Sequence, residues 1–357
     1  EWNIYEAYIK NSKGVKILDF KYNNLHLMSY SIPKHKKMSL SDLKRHLYTL
    51  PDHPGWIPYR TSYYKEDWGF CMTHNQFVDL EDGVYEVFIN STLQNGSLTY
   101  GELLIKGDLE DEVLISTHVC HPSMCNDNLS GVCMATFLAK ELMKHSLRYS
   151  YRFLFVPGTI GAITWLAKNE EHVSLIKHGL VASLLGDSGC FTYKKSRNSN
   201  AEIDKVVPLV FRSMKKDFEV IDFSPYGYDE RQYCSPGFDL LVGSLTRTPF
   251  AQFPEYHTSA DNLSFVTKEN LEESLEVFKA IITLLESNRK LINLKPKCEP
   301  QLGKYGLYNK VGGNNDSFSM QMAFLWLLNM SDGANTLMDI SEKSGYDFHI
   351  LNKAARL

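Results

Sequence analysis

The sequence lacks several features that would place it directly in a function class. No apolar run approaches the roughly 18 residues that a membrane-spanning helix needs. The 357 residues carry a formal net charge of −4, so no overall basic charge favours nucleic acid or anionic membranes. Seven scattered cysteines, an odd number, argue against a disulfide framework and favour a reducing cytoplasm. No Gly-rich phosphate loop has its Lys-Ser/Thr partner, and no serine lies in a Gly-x-Ser-x-Gly elbow.

The first residues do not resemble a targeting signal. The first residues, EWNIYEAYIKN, have neither a basic start nor an apolar segment, so they do not form a signal peptide. The expectation of a cytoplasmic protein rests on the scattered, odd-numbered cysteines. Because the chain starts without Met and stops within a helical pattern at Leu357, we also expect further residues at both ends.

Hydrophobic periodicity divides the chain into three regions. Residues 1–38 and 106–295 are predicted to form an α/β core, in which continuous apolar strands alternate with amphipathic helices around a largely parallel sheet. Residues 39–105 are predicted to form an inserted β-rich domain. Residues 296–357 combine a Pro/Gly-rich linker with short helices, and the turn at 344–346 indicates a helix-turn-helix.

The predicted insertion is dense in Trp and Tyr and rich in turn signals. Asn95-Gly96, between two strand-like runs, predicts a hairpin. The aromatic side chains are expected to form the core of a small, thin domain, because such a domain needs large side chains to bury enough area. The alternative is that they stack on sugars or peptides.

Polar side chains follow four predicted strands at the point where each strand ends. Ligands of α/β sheets bind at this edge. The four clusters are His118–Asp127, Pro157–Gly161, Gly186–Ser188 and Pro254–Asn262, with a fifth polar loop at 228–232. Two histidines and two aspartates meeting there would supply the nitrogen and oxygen donors that zinc prefers. The alternative is an ordinary capped strand-to-helix turn, whose histidines only form hydrogen bonds.

The chain contains THVCHPSMCNDNLSG, GDSG and YHTSADN, in that order. These three segments resemble motifs of the zinc aminopeptidases of the M28 type. Longer phrases, YDERQYCSPGFDLLVGSLTRTPFAQFPEYHTSADN and CEPQLGKYGLY, are similar to the aminopeptidase-like DUF4910/DUF2172 family found near polysaccharide biosynthesis genes. The resemblance covers essentially the whole chain. It implies a phosphorylase/hydrolase-like α/β zinc aminopeptidase core with a small β-rich insertion and a C-terminal winged-helix-like module.

The resemblance implies a ligand set for one zinc ion or two: His118, Asp127, Asp187 and His257. Cys120 stands where an orienting aspartate is expected. The larger departure is Gly158-Thr159, which occupies the place of two glutamates that act as general base and metal ligand in M28 enzymes.

Without those glutamates, another group must handle the proton. Glu230 is the first candidate, because its loop resembles the segment that reaches over the M28 active site; Arg231 could instead pair with it at the surface. His121 and Glu255 are further candidates, although His121 could simply fix its loop by a backbone hydrogen bond.

The neighbouring residues complete the predicted site. Asp229 and Tyr256 are predicted to contact the substrate. Asp261 and Asn262 are predicted to cap the helix that follows them.

The combined prediction is a zinc-dependent aminopeptidase-like hydrolase that cleaves an amide or peptide bond. One alternative is a metal-dependent amidase or deacylase acting on a glycan intermediate. Another is a catalytically degenerate ligand-binding protein with a helix-turn-helix tail. The expected partner is a small peptide or amide-containing substrate, with no membrane partner, and homo-oligomerisation stays open. The tail has few basic residues, so packing or oligomerisation is favoured over nucleic-acid binding.

Overall fold

A seven-stranded mixed sheet forms the centre of the larger of two units in the computed structural model. The structure describes residues 1–307 and 315–357. The two units are Glu1–Lys279 and Ala280–Leu357.

The elements of the larger unit are numbered in chain order. Its strands are β1 (Trp2–Lys10), β2 (Lys16–Asp19), β3 (Lys34–Ser39), β4 (Leu47–Tyr48), β5 (Phe70–Cys71), β6 (Val84–Leu93), β7 (Gly101–Ile105), β8 (Glu112–His118), β9 (Ser150–Val156), β10 (Ile176–Ala182), β11 (Phe191–Lys194), β12 (Phe218–Ile221) and β13 (Val242–Thr246). The helices that begin in it are α1 (Leu40–Leu43), α2 (His74–Val78), α3 (Gly131–Leu142), α4 (Ile160–Lys168), α5 (Glu202–Ser213), α6 (Glu230–Tyr233) and α7 (Lys268–Ser287).

The large sheet has the strand order β12-β11-β13-β10-β8-β9-β7. Strands β13, β10, β8 and β9 run parallel, as predicted, so their carboxyl ends share one edge. β7 at one end is antiparallel to β9, and β11 is antiparallel to β13. Every residue of β8 is buried, which explains its continuous apolar run, because a central parallel strand is covered on both faces. The residues that follow β8 are therefore held at the middle of the sheet edge.

A smaller antiparallel sheet has the order β2-β1-β6-β3. It joins strands from the first 39 residues to β6, which lies within the predicted insertion. The predicted boundary at residue 38 therefore passes through this sheet. Its core contains Ile9, Leu43, Phe70 and Val87, all fully buried. The β-rich domain thus uses the N-terminal strands, and the α/β core does not.

The hairpin predicted at Asn95-Gly96 is wrong. β6 pairs with β1 and β3 in the small sheet, whereas the next strand, β7, pairs with β9 at the edge of the large sheet. The turn signal is real, but the two strands that flank it have non-local partners. Turn chemistry alone cannot exclude such pairing.

The second unit contains a short antiparallel sheet and a helix-turn-helix. After the end of α7 it is built from β14 (Lys290–Ile292), α8 (Asn315–Met330), β15 (Asp332–Thr336), α9 (Leu337–Ser344) and α10 (Phe348–Ala355). The predicted turn lies between α9 and α10, where Gly345 has φ +72°, a value that suits glycine at a helix end. Part of the predicted linker, 308–314, lies outside the described residues. Within the described ranges, none of the helices has the length and apolarity required to cross a membrane.

Candidate metal centre

The segment after β8 carries the residues of the strongest sequence motif. It leads through a distorted helical turn at Cys125–Ser130 into α3. Glycine is required where α3 begins, because a Cβ on Gly131 would lie 2.5 Å from the Ala182 carbonyl oxygen. The turn therefore packs directly on the end of β10.

Three side chains of the Asn-Asp-Asn-Leu-Ser phrase bind the chain that leaves β10. Asn126 Oδ1 accepts a hydrogen bond from the Gly186 amide, and Ser130 Oγ accepts one from the Leu185 amide. Asn128 Oδ1 accepts one from the Leu184 amide. All three side chains are buried, so they satisfy backbone groups that the end of a strand would otherwise leave unpaired. The phrase therefore fixes Asp127 between two parallel strands.

Three imidazoles converge on the Asp127 carboxylate, and we call these four residues the His–Asp cluster. His118 Nε2 lies 2.7 Å from Asp127 Oδ1, and His257 Nε2 lies 3.0 Å from Asp127 Oδ2. His121 Nε2 lies 3.6 Å from the same Oδ2. Within the described residues, His118, His121 and Asp127 form a group whose possible ligand atoms all lie within 4.8 Å of one another.

Burial and charge shape the ionisation of this cluster. Asp127 and His118 are each 2 % exposed. Burial alone would raise the pKa of the Asp127 carboxyl, but hydrogen bonds from His118 and His257 outweigh it and hold that pKa below its ordinary value. Burial lowers the pKa of His121 to about 4, despite the opposing charge of Asp127. His121 is therefore neutral at pH 7, the form in which imidazole binds metals.

Asp261 is a site residue for which the sequence pattern predicted another role. Its two carboxylate oxygens accept hydrogen bonds from the backbone amides of Asn126, at 2.5 Å, and Asp127, at 3.0 Å. It is fully buried. The predicted helix cap at Asp261 is thus wrong, because its carboxylate holds the backbone that carries Asp127. The predicted cap at Asn262 is also wrong: its side chain accepts from the Ser264 amide, whereas α7 begins only at Lys268.

Asp187 lies beside the cluster and has other partners. Its Oδ1 accepts hydrogen bonds from Thr248 Oγ1 at 2.6 Å and from the Gly189 amide at 2.7 Å. Its Oδ2 accepts one from Asn126 Nδ2 at 2.9 Å. The structure therefore connects Asp187 to the cluster through Asn126, and its role as a ligand stays a prediction.

The region of Gly158-Thr159 shows what occupies the space of the expected glutamates. A Cβ on Gly158 would lie 2.3 Å from Tyr228 Oη and 2.9 Å from Cys120 Sγ. The Gly158 amide donates to Cys120 Sγ at 2.8 Å. The Tyr228 ring lies 4.0 Å, centroid to centroid, from that of His118. A tyrosine and a thiol therefore fill this side of the cluster.

The two neighbouring carboxyls at the start of α6 have different surroundings. Glu230 is 1 % exposed and accepts hydrogen bonds from Lys194 Nζ at 2.8 Å and from the Tyr228 amide at 3.0 Å. It is therefore bound within the protein, and the surface pairing with Arg231 does not occur. Asp229 is fully buried; its Oδ1 accepts from the Thr159 amide at 2.6 Å, while its Oδ2 has no hydrogen-bond partner.

Burial raises the pKa of Asp229 to about 6, although the nearby His118 opposes the shift. Thr159, which binds it, has φ +64°, a strained value for a β-branched residue. The roles predicted for Glu230 as base and for Asp229 as substrate contact stay predictions. Their surroundings favour structural support for Glu230 and an electrostatic role for Asp229.

The β-rich domain also reaches the cluster. The Tyr59 amide donates to the His257 carbonyl oxygen at 2.8 Å, and the Ser259 amide donates to the Ile57 carbonyl oxygen. The Tyr59 ring lies 5.1 Å from that of His121 and 5.3 Å from that of His257. Tyr256, a predicted substrate contact, stacks on His257 at 3.9 Å. Of the predicted base candidates, Glu255 contributes its backbone carbonyl, which accepts from Thr258.

Comparisons with known proteins relate the chain to a family and to solved structures. A domain of unknown function, DUF4910, matches residues 7–288, and a winged helix-turn-helix matches 289–357. A protein from Clostridium acetobutylicum, named as a candidate polysaccharide biosynthesis protein with an aminopeptidase-like domain, is 54% identical over 355 residues, which are 99% of this chain and 82% of the relative. The crystal structure of a candidate peptidase from the same species has a TM-score of 0.93 at 52% identity, covering 100% of this chain and 81% of that one.

More distant structures share the fold. A peptidase M28 precursor from Shewanella amazonensis has a TM-score of 0.60, covering 80% of this chain and 81% of that one. A zinc aminopeptidase from Bacillus subtilis has a TM-score of 0.55, covering 79% and 83%. Both are 13% identical to this chain. Together with the winged helix-turn-helix match, they confirm the predicted fold class, a mixed α/β aminopeptidase-like core followed by a winged helix-turn-helix.

Proposed function

This chain belongs to the DUF4910 family, and on that premise we propose that it is a metal-dependent hydrolase of an amide bond. One observation carries the proposal: three imidazoles converge on one buried carboxylate at the carboxyl edge of the sheet in an aminopeptidase-like fold. Ligands of α/β sheets bind at this edge.

The residues of the His–Asp cluster fit zinc. The cluster offers imidazole nitrogens and carboxylate oxygens, which are zinc's common donors. His121 Nδ1 is buried without a hydrogen-bond partner, so one nitrogen of a neutral histidine is unused. Asp127, His118 and His121 would hold the ion, which leaves the fourth position open, as in other catalytic zinc sites. Zinc bound there supplies Lewis acidity to polarise a carbonyl and acidify water.

His121 supplies the donor that Gly158-Thr159 does not. A glycine and a threonine provide no carboxylate at the place of the expected ligand, whereas His121 enters the cluster from the loop after β8. This assignment changes the predicted part of His121 from proton transfer to metal binding. The role as a metal ligand also agrees with the burial of His121, because burial keeps the imidazole neutral and so able to bind a metal.

His257 is then the imidazole that moves the proton. Its side chain is 31% exposed, the most of the three, so it can meet a substrate. Its Nε2 faces Asp127 Oδ2 at 3.0 Å, and its ring rests on Tyr256. A positioned histidine paired with a carboxylate contributes about 10²–10⁴-fold to a rate as a general acid or base.

Asp229 acts on the His–Asp cluster electrostatically, through its proximity to His118. It is fully buried, which favours an electrostatic role over the predicted substrate contact, and it lies close enough to His118 for the histidine to lower its pKa. Cys120 stands where the family resemblance expects a carboxylate that orients this histidine. Asp229 thus brings a carboxyl group from α6 to a place that the loop after β8 leaves without one.

Metal analysis of purified variants tests this assignment. The wild type should retain about one zinc per chain after dialysis, and Asp127→Asn and His121→Ala should lose it. His257→Ala should keep the metal and lose hydrolysis of aminoacyl arylamides and N-acyl amino sugars. His172→Ala, at an exposed histidine away from the cluster, is the matched control. A wild type without metal would refute the proposal, and loss of metal from His257→Ala would return His257 to the ligand role predicted from the sequence.

A further inference from the structure

A row of aromatic rings leads from the His–Asp cluster to the surface of the β-rich domain. Tyr59 contacts His121 and His257, and its hydroxyl lies 3.5 Å from that of Tyr63. The row continues from Tyr63 to Tyr30, with ring centroids 4.7 Å apart, and from Tyr30 to Trp2, 5.7 Å apart. We call Tyr59, Tyr63, Tyr30 and Trp2 the aromatic row.

The hydrophobic cores account for only part of this row. Tyr59 is buried in a small core cluster with Leu25, Ile57, Cys71 and Met124, and Trp2 packs against the larger core of the β-rich domain. Tyr63 is 50% exposed, and Tyr30 and Trp2 are half-buried. The rings of Tyr63, Tyr30 and Trp2 therefore keep surface that the two cores do not cover.

The backbone holds this row in a strained arrangement. Tyr30 has φ +67°, a left-handed value that is strained for a residue other than glycine. The next residue, Ser31, is tied down: its carbonyl accepts hydrogen bonds from Trp2 Nε1 and Ser91 Oγ. Such strain persists where the surroundings fix it, and it is common at ligand sites.

The aromatic row is also fixed relative to the cluster. Segment 57–59 exchanges backbone and side-chain hydrogen bonds with 257–259: the Tyr59 amide binds the His257 carbonyl, and Ser259 Oγ accepts from the Ile57 amide. A group bound on the row would consequently lie at a constant distance from the three imidazoles. Preorganisation of this kind lowers the cost of binding.

We propose that the aromatic row forms a carbohydrate subsite, in which the exposed surface of Tyr63, Tyr30 and Trp2 holds the sugar ring of an amide-bearing substrate and the buried Tyr59 joins this surface to the His–Asp cluster. The inference rests on the proposed amide hydrolysis and names its substrate class. Every ring in the row is Tyr or Trp, which combine an apolar face with a hydrogen-bonding edge. A pyranose has the matching surface, one C–H face with hydroxyls around its rim. An apolar amino-acid side chain would instead favour a closed pocket without polar edges.

The test measures binding separately from hydrolysis. Ligand-observed saturation-transfer NMR, with N-acetylglucosamine and phenylalaninamide as probes, is run on the full chain after chelation and again after zinc loading. The wild type should bind N-acetylglucosamine in both states and transfer saturation mainly to the C–H protons of one ring face. Phenylalaninamide should bind more weakly.

Three variants locate the binding. Tyr63→Ala should weaken N-acetylglucosamine about threefold to tenfold, the range of one aromatic stacking contact. Tyr63→Phe keeps the ring and should bind within about twofold of the wild type, on the same stacking argument. Tyr22→Ala is the control, since Tyr22 is an 88% exposed tyrosine outside the row. Equal thermal unfolding midpoints show that the variants are folded.

Equal binding by Tyr63→Ala and the wild type would overturn the subsite, and so would preferential binding of phenylalaninamide. If zinc fails to bind while the Tyr63-dependent sugar contact persists, the hydrolase proposal fails and the subsite stands. If zinc binds and the sugar does not, the subsite fails alone.

Discussion

Asp229→Asn provides the sharpest test of the electrostatics beside the cluster, because it removes one charge and keeps the shape. Asp229 is fully buried, and its pKa is raised from 3.8 to about 6. A carboxyl whose pKa rises on folding loses stability as the pH increases from the unfolded value through the folded one. The cost is therefore absent below about pH 3.8 and complete above about pH 6. At about 1.36 kcal/mol per pH unit, it reaches about 3 kcal/mol at pH 7.5 and about half of that at pH 5.

Comparing Asp229→Asn with the wild type separates the pH-dependent cost of burying the charge from the contribution of the Asp229 hydrogen bond. The carbonyl oxygen of the substituted side chain can still accept from the Thr159 amide, so that contact is kept. The new amide group, placed where Oδ2 of Asp229 has no partner, adds a penalty of about 1–3 kcal/mol that does not depend on pH. The diagnostic quantity is thus the change with pH. Relative to the wild type, the variant should gain about 1–2 kcal/mol between pH 5 and pH 7.5.

Urea unfolding of the chelated protein measures this change, since urea adds no ions and chelation removes cations that would also lower the pKa. With a slope of about 3 kcal/mol per M, the difference between the two midpoints should shift by roughly 0.5 M from pH 5 to pH 7.5. Asp52→Asn, at an exposed aspartate, is the matched control and should show no such shift. A midpoint difference that is the same at both pH values would refute a buried, titrating Asp229.

The remaining predictions concern two other buried carboxylates. Asp261→Asn can accept from only one of the two backbone amides that Asp261 binds, so it should lower the free energy of unfolding by about 1–3 kcal/mol. It should also weaken zinc binding, measured by competition with a chelator. Unchanged zinc affinity would argue against a positioning role for Asp261. Lys194→Met leaves Glu230 buried without its cation and should cost about 3–5 kcal/mol in unfolding experiments. Adding Glu230→Gln should restore most of that loss, and no recovery in the double variant would contradict the pairing.

The sequence predicted those parts of the fold that rest on local pattern. A continuous apolar run gave β8, whose residues are all buried, and alternating strands and helices gave the parallel centre of the sheet. The turn at Gly345 was also readable, because a helix that ends in a left-handed residue favours glycine. Pairing between distant strands was not readable: β6 and β7 flank a good turn signal but enter different sheets.

The sequence predicted which residues meet at the candidate site, and the roles assigned to them stay predictions. His118, Asp127 and His257 meet as expected, since they follow strands whose ends share an edge. The role of Asp261 was not predictable. Its carboxylate binds backbone amides more than 130 residues away in the sequence, and an aspartate before a predicted helix looks the same whether it does this or caps the helix. The pairing of Glu230 was not predictable for a similar reason, since its partner Lys194 comes from β11, a short strand that the sequence pattern does not indicate.

The charge of the donor set bears on whether one zinc ion or two would bind. In the His–Asp cluster only Asp127 is anionic, and the three imidazoles contribute no negative charge when neutral. Gly158 cannot be replaced by an acidic residue without displacing Tyr228, since even a Cβ would overlap its hydroxyl. One carboxylate offsets half the charge of one divalent ion, whereas a second ion would add two more positive charges in a buried place. If the His–Asp cluster alone supplies the ligands, the proposed site would hold one zinc ion and carry a net positive charge, which would stabilise the oxyanion that forms when an amide is attacked.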